Sequence, residues 1–503
     1  TTRPEGLRME AGAGCGAGPG PPSLAAAPPG GPEVAGPAAD AVARLVAGRL
    51  GWRALAAASG VRQAWAHEFS QDDLWVPLLR AVYPPPPGAA PPAGGARAAF
   101  VGAHREYGRF GDLYGRVARC WERLESFLQA ERAAGSRGAG AIWNSLRPGL
   151  EDSEIGYAEE LLGLELPPAL RMMLRWHDGQ KCRTDALLSP NLDEEVSALL
   201  SSGCLGSYSV YGHEVSLHLL ATSQLVHLTQ IMRERQGLPH HLVVLAASWG
   251  LAKTLLLDCR DSGLYFVDQE GTLVPAIWSR GGARRKGRCG GRGGNACGGG
   301  LVAWLEAYTC ALESGELGLE PEGLRPMEPA EATFRDPGIS AFPRAGPRTS
   351  RAVTRGVEVI ASALVLPELH RLAGIGGGDH EARDLWTISY SIRFRLLSEA
   401  EQFAAGERRA IERCQLRTRH WVMRNEALEV TNQVSGEAVV GNYPILVAGG
   451  KPFIYQSATS EKTARSFMEG FFNFVEGTIA HPEGPEFNVE CARFELSLPE
   501  VLF

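Results

Sequence analysis

What the chain lacks narrows it first. Its ten cysteines include no Cys-x-x-Cys pair and no Cys/His cluster at zinc spacing, so no zinc module and no dense disulfide framework is written into it. Cys289 and Cys297 are the one close pair, in a glycine-rich loop. Free thiols in a reducing compartment, nucleus or cytoplasm, are the expectation. No apolar run reaches the roughly 18 residues that cross a bilayer. The longest candidate, 242–258, is interrupted by Lys253 and reads as buried strand or helix, so no membrane partner is expected. No charged-then-apolar signal segment stands at the start. The stretch "TTRPEGLRMEAGAGCGAGPGPP" is rich in Ala, Gly and Pro, and Met9 is a candidate initiator that would set residues 1–8 outside the natural protein. Fifty Lys and Arg against 57 Asp and Glu leave a formal charge of −7, too slight for a global field toward nucleic acid or anionic lipid. With 503 residues, 44% hydrophobic and 21% charged, the chain has the balance of a globular protein of about three domains.

Enzyme signatures are missing as well. There is no Gly-x-Ser-x-Gly elbow, and no cysteine has an evident histidine partner. In "HEVSLH", His213 and His218 are five apart. On a helix that is about 500° of turn, and on a strand it is opposite faces, so a metal pair fails either way and satisfied surface histidines are expected. In "WHDGQ", His177 suits a helix C-terminus and Asp178-Gly179 a turn. His420 beside Trp421 reads as a packed or rim residue of a strand. Catalytic residues, metal and cofactor are therefore all set to none.

Two glycine-rich patterns invite a phosphate reading. Gly436, Ala438 and Gly441 fall on the spacing of a dinucleotide cradle, and Gly449-Gly450-Lys451 looks like the end of a P-loop. A cradle needs a helix to follow, yet Pro444 and a strand-like run come next. Pro452 stands where a magnesium-binding hydroxyl belongs. Turns and bulges explain the glycines better, with Gly449-Gly450 expected as a two-residue hairpin connection. The basic insertion holds Arg280, Arg284, Arg285, Lys286, Arg288 and Arg292, but no stacking aromatic apart from Trp278. It reads as a solvated loop rather than a nucleic-acid patch.

Composition divides the chain into a Pro/Gly/Ala tail (1–38), an apolar helical unit (39–82), a Pro-rich linker (83–99) and a mixed α/β region (100–315) with a basic Gly-rich insertion (280–300). A Pro/Glu-rich linker (316–349) and a β-rich region (350–503) complete it. In the helical unit Val42, Leu45, Val46 and Leu50 share one face. Leu55, Ala58, Val61 and Trp65 continue it, and Leu74, Trp75, Leu78 and Leu79 close it. Some 45 residues cannot bury so many large apolar groups alone, which predicts a partner surface. In the mixed region Leu113, Val117, Trp121, Leu124 and Leu128 predict one amphipathic helix. The β-rich region alternates without a fault at Ile388, Tyr390, Ile392, Phe394 and Leu396. With some six to eight strands and no helix among them to form βαβ units, it predicts a sandwich of the immunoglobulin or fibronectin type.

Three family resemblances follow from these motifs. The helical unit, with Val61, Trp65 and Leu74-Trp75 at the motif positions, resembles the F-box, although "GPAAD" replaces its opening Leu-Pro pair. The mixed region, with Leu166-Pro167-Pro168, "WHDGQ" and the strand-turn-strand "LLLDCRDSGLYF", resembles SUKH domains, which are mostly protein-binding modules. Trp421, "GEAVVGNYP", Tyr455 and Met468-x-Gly470 resemble the ApaG domain, with a departure just before Met468, where that family often carries Gly. The order of the three resembles F-box proteins that carry an ApaG domain.

That resemblance implies a multidomain α+β chain made of a small helical F-box, a SUKH-like α/β domain and a C-terminal β-sandwich. The implied role is a non-catalytic substrate receptor of a ubiquitin ligase, bound to the Skp adaptor and through it to cullin and RING subunits, and holding protein targets. The adaptor-facing residues would be Leu45, Leu50, Leu55, Val61, Trp65, Leu74 and Trp75, with core packing the competing role for about half of them. Tyr443, Pro444, Tyr455, Met468 and Gly470 would mark the target or ligand face, with folding as their competing explanation. The alternatives are a small-anion or nucleotide sensor of ApaG type, and a scaffold independent of the adaptor.

Overall fold

A computed structural model describes residues 72–84, 94–110, 112–182, 187–188, 202–278, 299–320, 338–373 and 383–503. The chain divides into two units, Thr1–Leu74 and Trp75–Phe503. Leu45, Leu50, Leu55, Val61 and Trp65 lie outside the described residues, as do the tail 1–38 and residues 280–298 of the basic insertion.

The described part opens with α1 (Asp72–Val82) and α2 (Gly95–Tyr107). The rings of Trp75 and Tyr83 meet Phe100 edge-on, at 5.2 and 5.3 Å. The long helix α3 (Leu113–Ala133) buries Leu113, Val117, Trp121, Leu124 and Leu128, the register its spacing predicts. The helix α4 (Arg137–Ser145) is capped by Ser136, whose Oγ accepts from Ala139 N at 3.2 Å. Next comes α5 (Asp152–Leu162), which begins on a Glu151/Glu154 capping box and ends on Gly163 at φ 69°. Pro168 then occupies the first turn of α6 (Pro168–Trp176), where its missing N–H costs nothing.

Strands β1 (Ser207–Val210), β2 (His213–Ser216) and β3 (His218–Leu219) precede α7 (Thr222–Gln236). Strands β4 (Leu242–Ala247), β5 (Thr254–Asp258), β6 (Leu264–Val267) and β7 (Leu273–Pro275) follow, then α8 (Gly299–Glu313), β8 (Gly318–Leu319) and β9 (Ile339–Ser340). One antiparallel sheet runs β3-β4-β5-β6-β7, and a smaller one runs β2-β1-β9-β8. Every residue of β4 and β5 is buried, which is why 242–258 reads as two largely apolar runs on either side of Lys253. The stretches read as linkers carry structure where they are described, since α2 starts at Gly95 and β8 and β9 lie within 316–349.

The C-terminal region is a sandwich of β10 (Thr349–Thr354), β11 (Val357–Val365), β12 (Arg371–Ala373), β13 (Arg383–Leu396), β14 (Arg413–Asn425), β15 (Val430–Glu437), β16 (Ile445–Val447), β17 (Phe453–Glu461), β18 (Arg465–Gly477) and β19 (Pro482–Ser497). In one sheet β11, β12 and β17 pair with β13, and β10 with β11. The other runs β15-β14-β18-β19, with β16 also on β14. The alternating residues of β13 line the core, none more than 6% exposed.

Three expectations are corrected here. A short helix, α9 (Glu399–Ala404), interrupts the strands after β13, because "SEAE" forms a capping box, with Ser398 N and Oγ both donating to Glu401 at 2.8 Å. Gly449-Gly450 does not close a hairpin, since β16 pairs with β14 and β17 with β13, in opposite sheets. The turn has Gly450 N donating to Val447 O at 2.9 Å and Gly449 at φ 67°, so its local chemistry is that of a tight turn while its job is a crossover. His218 is not a surface histidine. It is 2% exposed, with its Nδ1 2.9 Å from Ser216 O.

Candidate functional site

The "WHDGQ" motif proves to be a knot of backbone satisfaction. Asp178 Oδ1 accepts from Thr222 N and Thr222 Oγ1, both at 2.7 Å, which caps α7. Its Oδ2 takes Arg147 Nε at 2.9 Å. Gly179 sits at φ 59°, where a Cβ would fall 2.3 Å from Leu220 O. The Gln180 amide donates to Ser145 Oγ and Ser202 O and accepts from Cys204 N, with no surface exposed. His177 Nε2 meets Glu125 Oε1 at 2.7 Å. Every group of the motif is used in holding the fold.

The densest buried chemistry lies where the sandwich meets the middle region. Pro367–Leu369, a single 3-10 turn after β11, carries Glu368 inward to 2% exposure. Glu368 Oε1 accepts from the Tyr208 hydroxyl and from His213 Nε2 at 3.0 Å, and its Oε2 stands 3.7 Å from Lys253 Nζ. The Lys253 ammonium donates to Phe503 O at 2.8 Å and lies 4.7 Å from the Phe266 ring. Burial pushes the Glu368 carboxyl up, but the Lys253 charge and the bonds from His213 and Tyr208 outweigh it and hold the group below its usual value. Burial lowers Lys253, against the pull of Glu368. Tyr208, Val210, Ala341, Phe342, Leu364 and Leu366 pack around this pair. The last residues add a strap, with Trp278 N donating to Glu500 O at 2.7 Å and Trp304 Nε1 to Leu502 O at 2.7 Å. Sealed in apolar packing, the cluster can fix the sandwich to the middle region of the same unit. Sequence reasoning missed it, although one lysine inside a run of buried aliphatics was the available signal, because such a charge must find a partner.

The predicted face of the sandwich separates into core and surface. Tyr455 is 2% exposed and stacks on Phe394 at 6.0 Å, Met468 has no exposed surface, and Pro444 is buried. Gly470 lies opposite Trp421, where a Cβ would fall 1.9 Å from His420 O. Of the five residues, only Tyr443 is on the surface, 40% exposed, its hydroxyl donating to Glu437 Oε2 at 2.9 Å. Ile445 and Val447 continue it at 48% and 57% exposure, and neither was picked out in the sequence.

The loop before them is tightly wound. Ala438, Val440 and Gly441 take φ of 60°, 48° and 74°, and a β-branched residue in that region stores strain. Arg419 Nη1 clamps the loop by donating to Glu437 O at 3.0 Å and Ala438 O at 2.7 Å. Val439 and Asn442 exchange backbone bonds at 2.9 Å, and Ala438 N donates to Arg417 O. These amides are spent on the loop itself and no helix follows, so the geometry is not that of a phosphate cradle. Of the residues expected to face an adaptor, Leu74 is half-buried and Trp75 is 1% exposed. Among the described residues no group of three His, Cys, Asp or Glu is placed to hold a metal, and no helix is long and apolar enough to cross a membrane.

In sequence the chain matches several known proteins. The ApaG domain family matches residues 378–476. The chain is 30% identical over 398 residues to F-box protein SKIP16 of Arabidopsis thaliana, covering 78% of this chain and 81% of that protein. It is 23% identical over 412 residues to F-box only protein 3 of Homo sapiens, covering 80% and 71%. Over 150 residues, 30% of this chain, it is 32% identical to Protein ApaG of Rhodopseudomonas palustris (strain TIE-1), covering 94% of that protein.

Proposed function

The chain belongs to the F-box proteins that carry an ApaG domain, and we propose that it is the target-recruiting subunit of an Skp–cullin–F-box ubiquitin ligase. In this reading residues 39–82 dock on the Skp adaptor, through it reach cullin and RING subunits, and the two following domains hold a protein target. Nothing in the role asks for a catalytic residue. Holding a target lysine beside a charged conjugating enzyme raises its effective concentration, and geometry supplies the rate. The observation that carries the reading is the F-box relative matched across most of both chains, together with the ApaG family match at residues 378–476. We assign the region 100–315 to the SUKH-like class of binding modules and the protein to the nucleus or cytoplasm on the same reading.

Two measurements test it. Full-length chain and Skp adaptor, co-expressed, are expected to purify together, and Leu50→Ala/Leu55→Ala is expected to cut adaptor recovery at least tenfold, a loss of about 1.4 kcal/mol or more. Failure of the intact chain to retain adaptor overturns the ligase reading and leaves the adaptor-independent scaffold. Trp75→Ala addresses a different property. Its indole is packed on Phe100, so truncation is expected to cost about 3–5 kcal/mol in urea unfolding, whether or not adaptor is present.

A further inference from the structure

The sheet β15-β14-β18-β19 has an open edge at β16, and its hydrogen-bond register shows what that edge can accept. Leu416 N donates to Pro444 O at 3.1 Å, and Ala448 N to Glu412 O at 2.9 Å. Residues 444, 446 and 448 therefore face β14, while Ile445 and Val447, opposite Gln415 and Arg413, point their backbone groups away from it. The Val447 carbonyl is taken by Gly450 N. That leaves Ile445 N–H, Ile445 C=O and Val447 N–H unpaired among the described residues. The side chains of Ile445 and Val447 are 48% and 57% exposed, with Leu446 between them at 2%. Tyr443 extends the row, and its carbonyl is fixed by Gln415 Nε2 at 2.9 Å. Edge strands are ordinarily blunted by charge or proline, and on β15 the exposed residues are polar apart from Val430. At β16 the edge is apolar and ends in a turn rather than a cover.

We propose that β16 is a docking strand for an extended, apolar segment of a target protein, which adds to the sheet edge by backbone hydrogen bonding. The donor-acceptor-donor set of Ile445 and Val447 is complementary to an extended backbone and to no helix. The alternating Tyr443, Ile445 and Val447 ask for apolar or β-branched side chains at every second position of the guest. The strained, Arg419-clamped loop holds the row in place before anything binds, which lowers the ordering cost of association. A second copy of this chain is the competing guest, and the oligomeric state separates the two. The inference deepens the recruiting role proposed for the sandwich and rests on it.

The test uses the full chain and a labelled peptide, acetyl-Lys-Thr-Val-Thr-Val-Thr-Lys-amide, followed by fluorescence polarisation. Saturable binding is expected, with backbone amide exchange at Ile445 and Val447 slowed at least tenfold in the complex. Val447→Pro removes an outward donor without touching a bond to β14 and is expected to weaken binding at least tenfold, as is N-methylation of the peptide's central residues. Absent saturation, unprotected Ile445 and Val447 amides, or binding indifferent to N-methylation each overturns the proposal. The exchange readout needs no variant, so a misfolded Val447→Pro chain leaves the question decidable. Light scattering that finds a peptide-free dimer through this edge also overturns it in favour of self-pairing. Adaptor recovery is measured in parallel, so loss of peptide binding with adaptor retained strikes this inference and leaves the ligase reading standing.

Discussion

Glu368→Ala is expected to lower the unfolding free energy of the second unit by about 3–5 kcal/mol at pH 7, because it strands a buried charge. In the native protein Lys253 is 2% exposed, and its ammonium has a carboxylate at 3.7 Å and one carbonyl at 2.8 Å. Removing the carboxylate leaves the carbonyl alone against the full desolvation of an ammonium, and it takes the acceptor from the Tyr208 hydroxyl and from His213 as well. Lys253→Met/Glu368→Leu removes both charges and is expected to recover on the order of half the loss, the remainder being the hydroxyl left without an acceptor. Urea unfolding followed through the buried tryptophans Trp304 and Trp421 reads both sides of the junction. If Glu368→Ala costs under about 1 kcal/mol, the pair is not the clamp described here.

The pH dependence has a defined sign. A carboxyl held below its ordinary value of 4.5 contributes stability that is complete above that value and is lost as the pH falls through the depressed folded one. Lys253 is lowered from 10.5, chiefly by burial, so its charged form opposes folding until it loses its proton at high pH. The gap between wild type and Glu368→Ala is therefore widest between these limits. It narrows in acid as Glu368 protonates, and again in alkali as the pH rises through the depressed Lys253 value, below 10.5.

Local pattern foretold local structure and stopped there. The alternation of β13 and the helical spacing of α3 are visible because each side chain's neighbours lie two to four residues away. Asp178-Gly179 is legible as a turn, but the second task of Asp178, capping α7, depends on Thr222, far along the chain. Gly449-Gly450 has the chemistry of a hairpin turn, and only the packing of two sheets decides that β16 and β17 separate. Lys253 announces that a partner exists without saying that it is Glu368, far along the chain. The ApaG pattern names its domain through Tyr455, Met468 and Gly470, and these turn out to be two core side chains and a close strand approach. The surface beside them, Ile445 and Val447, has no motif, because a free edge is a property of hydrogen bonds that are not made.

Gly470→Ala shows how much of that pattern is folding. Gly470 stands in the middle of β18, across from Trp421 on β14 and Cys491 on β19. A Cβ there would lie 1.9 Å from His420 O and 3.0 Å from Trp421 Cε3, so the two backbones must part by more than 1 Å. Neither neighbour can yield. The His420 carbonyl belongs to a sheet strand, and the Trp421 indole is held edge-on by Tyr390 at 5.8 Å and Phe472 at 5.2 Å. Parting β14 from β18 at this point breaks ladder bonds and opens the aromatic core together. A loss of about 3–5 kcal/mol is expected in denaturant unfolding, with the near-ultraviolet dichroism of Trp421 diminished. Gly156→Ala is the matched control, since that glycine lies inside α5 with nothing within 4 Å of its missing Cβ. It is expected to stabilise by about 0.5–1 kcal/mol through helix propensity alone. Equal effects at the two positions would mean that β14 and β18 do not approach as closely as the structure places them, and Gly470 would again be open to a ligand-binding role.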